Sequence, residues 1–190
     1  MNRLIILSII MTTFFMEGCI NNQEKTITYF DQIYIPVQQI VELDNVFQEK
    51  MHQQLIATTE ISKESDTLLD EELYDQSIEE IKTAHKDLIN YINTELEKIK
   101  RISIYNNETD LQRAGIELMQ TYSETANTSF LEMIQIIQKD YLTDADNDRF
   151  NYLLKKTNET LNTELERFYE IAQSFGDRNE IDLEFDEEEL

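Results

Sequence analysis

Three glycines and one proline are the only strong backbone punctuation in 190 residues. A β-rich fold needs turn residues between many short strands, and this chain lacks them. Long stretches are instead free to run as helix. Gly115, Gly176 and Pro36 are the only such residues after position 18. The single cysteine, Cys19, excludes an intramolecular disulfide scaffold. Sixteen basic against 39 acidic residues give a net charge of -23. That balance argues against a nucleic-acid partner, because phosphates must be met by Lys and Arg.

Apolar spacing places four helical segments on the chain. The first covers about 26–58, with Phe30, Ile33, Val37, Ile40, Phe47, Met51 and Leu55 on one stripe. Asp44 sits where that stripe expects an apolar residue. Pro36 predicts a kink or a late helix start. A polar break over 59–67 follows. The second segment starts near Asp66 as N-cap and carries Leu73, Ile81, Leu88, Tyr91 and Ile99. Glu95 shares its stripe with Leu96, and Lys98, Lys100 and Arg101 stand near its end, where the helix dipole favours cations.

The third segment starts at Asn106 or Asn107, with Asp110 three residues after Asn107 as a capping arrangement. It runs through Leu111, Ala114, Leu118, Tyr122, Phe130, Met133 and Ile137 towards Tyr141. Small residues at 114, 115 and 126 predict a close helix neighbour. The fourth starts at Thr143 with Asp146 three residues on, and carries Phe150, Leu161, Leu165, Phe168 and Phe175. Gly176 stands where a helix-ending glycine belongs. Short connections make antiparallel neighbours. The expected fold is all-α, an antiparallel up-down-up-down four-helix bundle with long helices over residues 26–176. The stretch 177–190 reads as a solvated acidic tail, since seven of the eleven residues from Glu180 are acidic. Alternating Ile181, Leu183 and Phe185 also suit a docked strand, the lesser expectation.

The N-terminus reads as an address. Arg3 precedes a mostly apolar run, Leu4 to Met16, of 13 residues. As a helix it spans about 20 Å, short of the roughly 30 Å of a bilayer core and right for the apolar region of a signal peptide. Gly18-Cys19 follows, which resembles the lipobox of bacterial lipoproteins. Met16 and Glu17 depart from the usual Leu and small residue of that box. The resemblance implies a signal peptide over 1–18, cleavage between Gly18 and Cys19, lipid on Cys19, and a short tether over 19–25. Arg3 and Glu17 leave together, so the mature chain keeps -23. The protein is then held to a membrane by lipid, on the surface or periplasmic face of the envelope.

Motifs for chemistry are sparse. Di-iron bundles need two Glu-x-x-His pairs facing inward. Glu49-Lys50-Met51-His52 is one, and the other histidine, His85, is preceded at the matching position by Lys82. Glu49 and His52 are therefore only weak metal candidates, and His52 is expected at the surface or boundary. Zinc lacks a ligand cluster, and no Gly-rich phosphate loop is present. No cofactor is expected. Asp44 and Glu95 are the stripe carboxylates, read as lying at the helix edges rather than in a buried polar site.

Tyr29-Phe30-Asp31-Gln32-Ile33, the segment Tyr122 to Ile134, the Leu142-Thr143-Asp144 turn and the Phe-rich last helix resemble small helical bacterial surface lipoproteins of unknown function, of leptospiral and Bacteroidetes type. The resemblance implies a fold and a location, and no catalytic residues. The leading expectation is a non-enzymatic binding or structural module. The alternatives are a periplasmic metal- or ligand-binding bundle using Glu49, His52 or Asp44, and an immunity or inhibitor lipoprotein whose acidic face meets a basic protein.

Overall fold

The computed structural model describes residues 2–61, 71–139 and 141–181, with side chains from residue 23 onward except 57–73. These residues form four helical rods and no strand. The first is α1 (Asn2–Ile61) and the second α2 (Glu71–Arg101). The third is built of α3 (Asp110–Thr125), a π turn (Ala126–Phe130) and α4 (Leu131–Ile137). The fourth is α5 (Asp144–Asn179).

Each rod buries most of the stripe that its spacing defines, but Tyr141, expected at the end of the third, lies beyond α4 and is 73 % exposed. Phe30, Ile33, Val37, Ile40, Phe47 and Met51 of α1 are all buried. They meet Ile81, Leu88, Ile92 and Ile99 of α2, Leu118 and Tyr122 of α3, and Phe168 and Phe175 of α5 in one core. Leu55 is partly buried against it. Burying an aliphatic or aromatic side chain of this kind contributes about 1.5–3 kcal/mol, so the shared core outweighs local propensity.

Polar contacts fix which parts of the rods are neighbours. Thr26, Lys50 and Gln54 of α1 meet Tyr105, Glu80 and Ser77 respectively. Ile99, His85 and Tyr74 of α2 meet Gln112, Ala126 and Ile137. Glu108, Glu117 and Glu132 meet Arg178, Arg167 and Arg149. Gln38 donates to the Tyr169 hydroxyl at 3.0 Å, and Phe30 stacks on Phe175.

Several local expectations need correction. Pro36 gives no late start: α1 runs from Asn2 through Cys19, the 20–25 stretch and Pro36 to Ile61. Proline removes one backbone bond, and here its ring is buried, so packing on both sides holds the helix across it. The first residues of the expected polar break, 59–61, still belong to α1. The Asp66 cap lies outside the described residues.

Asn106 and Asn107 do not start the third helix. Both have positive φ, 48° and 63°, and the Glu108 amide donates to the Tyr105 carbonyl at 2.7 Å. That is the requirement of a tight turn with two left-handed central residues, which Asn tolerates. The helix begins instead at Asp110, with Thr109 as N-cap and no side-chain cap bond.

Thr143 and Asp146 do form a capping box, the Thr143 hydroxyl accepting from the Asp146 amide while Asp146 accepts from the Thr143 amide. Lys139 also bonds Asp146. The Lys139 and Thr143 bonds hold this carboxyl down at about 2. Gly176 does not end α5. The helix continues to Asn179, Glu180 takes the left-handed conformation at φ 55°, and the amide of Ile181 returns to the Gly176 carbonyl. Of the acidic tail, 182–190 lie outside the described residues.

The small residues in the third rod do mark a close approach. A Cβ at Gly115 would stand 2.8 Å from Ile33 Cγ2 and 3.7 Å from Phe168 Cε2. Ile33 is fully buried and β-branched, with little freedom to yield. Gly115→Ala therefore gains about 1 kcal/mol of helix propensity but loses about 1–3 kcal/mol to overpacking. We expect a net loss of about 1 kcal/mol by denaturant titration, and recovery in the Gly115→Ala/Ile33→Ala pair relative to the sum of the singles. Simple additivity of the two changes would refute the contact.

Candidate functional site

Two regions stand apart from the ordinary core: a polar seam between the helices, and the end of the rods nearest Cys19. The seam starts on α1. Asp44 lies between Ile40 and Phe47 on the buried stripe and is only 5 % exposed. The expectation that it sits at the helix edge is wrong. Gln48, one turn on, donates Nε2 to its Oδ2 at 2.9 Å. Its Oδ1 has no hydrogen-bond partner. Desolvation pushes the carboxyl up from 3.8 to about 6, against the opposing pull of the Gln48 bond. Across the core, burial raises the Tyr122 hydroxyl strongly, and the Asp44 charge adds to that rise.

One turn further along α1, Phe47 packs on His85 and Phe130, with ring centroids 5.6 and 4.8 Å apart. His85 is buried, and its Nε2 lies 2.7 Å from the Ala126 carbonyl at the head of the π turn. A carbonyl accepts only, so that nitrogen carries the proton. A π turn widens the backbone ladder by one residue. Here a ring from α2 supplies a donor where the ladder widens. Composition alone gave His85 no role, because nothing near it in sequence announces a π turn. Thr157 on α5 is the other orphaned polar group of interest, 3 % exposed with an unpartnered Oγ1.

Glu95 does lie at an edge. It pairs with Lys98 at 2.6 Å. With Glu42 it adds to the burial that raises the Tyr91 hydroxyl to about 12. Glu49 and His52 are both exposed on α1, and Glu49 accepts from Gln53 at 2.9 Å. Among the described residues, no group of three or more His, Cys, Asp or Glu is placed to hold a metal ion. The structure therefore does not gather Glu49, His52 and Asp44 into one site: two point outward and the third is enclosed.

The second region is a groove of about 1240 Å³ between residues 24–36 of α1 and the end of α2 with the loop after it. Lys25, Tyr29, Ile35 and Pro36 line one wall, and Lys98, Arg101, Ile102 and Ile104 the other, with Glu24, Asp31 and Glu95 among them. A smaller groove of about 450 Å³ lies farther along α1 and α2, lined by Leu43, Val46, Lys50, Glu79, Glu80 and Asp87 among others. Neither opens onto Asp44.

Gly18 and Cys19 fall within α1, whose side chains are described only from residue 23. No helix among the described residues is long and apolar enough to cross a membrane. No family model, no curated protein and no solved structure matches this chain.

Proposed function

We propose that this chain is a lipid-anchored envelope protein, akin to small bacterial surface lipoproteins, that presents a non-enzymatic helical module for binding or structure. The observation that carries the reading is the placement of the only cysteine. Cys19 follows Gly18 at the end of a short apolar run and precedes the polar residues Asn21 to Lys25. The module is an antiparallel up-down-up-down bundle. Support for that topology is the reversed order of contacts: Thr26, Lys50 and Gln54 meet progressively earlier residues, 105, 80 and 77. The same reversal holds for Ile99, His85 and Tyr74 against 112, 126 and 137, and for Glu108, Glu117 and Glu132 against 178, 167 and 149.

The raised carboxyl of the seam, Asp44, is enclosed and lines neither groove. The direct test is the intact mass of the protein extracted from bacterial membranes with detergent. A chain beginning at Cys19 and carrying acyl groups is expected. A chain that retains Met1 with an unmodified Cys19 overturns the reading.

A further inference from the structure

From the bundle end nearest Cys19 we infer that the last turn of α2 and the loop after it rest on an anionic lipid surface. The inference builds on the lipid anchor proposed above and adds a second, non-covalent contact. Helix α1 is continuous from Cys19 to Thr26, so those seven steps cover about 10 Å. Thr26 donates to the Tyr105 hydroxyl at 2.7 Å, which puts the loop level with that turn. The polar headgroup layer on each side of a bilayer is about 5–8 Å deep. A modest tilt about the anchor then brings the loop into it.

The chemistry at this end suits headgroup phosphates. Lys98, Lys100 and Arg101 place three cations within four residues of a chain that is otherwise strongly acidic. Lys25 faces Lys98 and Arg101 across the groove, which Glu24, Asp31 and Glu95 also line. Glu95 and Glu97 pair with the cluster over one turn, but Lys98 and Arg101 are 65 % and 81 % exposed. Exposed pairs of this kind contribute about 0–1 kcal/mol, so phosphates compete with them. The helix dipole accounts for cations at the end of α2. It does not account for Ile104 beside them, 56 % exposed. An exposed apolar residue beside a cluster of cations is the pattern of a surface that lies in the membrane interface.

The test uses the full-length protein purified from membranes and reconstituted into phosphatidylglycerol-containing phosphatidylcholine vesicles. With Cys19 lipidated, Ile104→Cys supplies the only free thiol, and it takes an environment-sensitive fluorophore. Tyr141→Cys, at the far end of the bundle and 73 % exposed in the wild type, is the control. Spin-labelled lipids should quench the label at 104 and spare the label at 141. Adding Lys98→Gln, Lys100→Gln and Arg101→Gln should weaken the contact about fivefold per charge removed. If mass spectrometry shows acylated Cys19 while the 104 label stays as aqueous as the 141 label, the membrane face is wrong and the anchor stands. If Cys19 is unmodified, the anchor reading fails and this inference falls with it.

Discussion

Replacing Cys19 with Ala should lower the membrane-bound share of the protein at least tenfold, measured by carbonate-washed fractionation. Each buried methylene of an acyl chain contributes about 0.8 kcal/mol, and more than one chain is needed for stable anchoring. Without the thiol no chain can be attached. The apolar run Leu4–Met16 does not replace it, since its 13 residues reach about 20 Å against a core of about 30 Å. The helical core should be untouched, because among the described side chains it is built from Thr26 and Tyr29 onward. Equal retention of wild type and variant, with both resisting the carbonate wash, would show that something other than lipid holds the protein.

Asp44→Asn should stabilise the fold at neutral pH and flatten its dependence on pH. The folded carboxyl sits at about 6, above its ordinary 3.8. Above pH 6 both folded and unfolded states are ionised, and the folded state bears the full cost of a buried charge. Below 3.8 both are protonated and that cost is gone. Stability of the wild type therefore falls, for this group, as pH rises from about 4 to 6. The shift of about two units corresponds to about 3 kcal/mol. Asn removes the charge and keeps an oxygen for Gln48, so most of that should be recovered, on the order of 10 °C in Tm for a chain of this size. Denaturation of both proteins at pH 7.5 and pH 4 isolates the effect, because the other carboxylates are common to both. Parallel pH profiles would mean that Asp44 is solvated.

Asp44 also shows what the sequence discloses and where it falls short. Its position between Ile40 and Phe47 was legible, and the spacing put it near the middle of the stripe. The rule that carboxylates avoid cores then argued it to the rim. Burial is decided by the neighbours: Ile40 and Phe47 on the same stripe are fully buried, and Tyr122 is close enough to feel the Asp44 charge. The helical stripes themselves were readable throughout, because a period near 3.6 repeats many times over long segments. Boundaries were less so. Asn106-Asn107 resembles a cap when read forward into a helix, and a left-handed pair when the Tyr105–Glu108 closure is known. Gly176 resembles a stop signal, yet Phe175 and Gly176 are both buried and α5 runs one more turn. Arg178 in that turn reaches Glu108 at 2.9 Å, a contact that no local signal could reveal.

The π turn at Ala126–Phe130 has one further consequence. It acts as a single-residue insertion absorbed without leaving the helix, so α4 follows α3 with a shift of phase. A straight α-helix through the same residues would rotate everything after it by about 100°. Met133, Ile134 and Ile137 lie buried beyond the π turn. The third rod is in effect two amphipathic helices of different registry joined by a clutch, and His85 holds the clutch from the neighbouring helix.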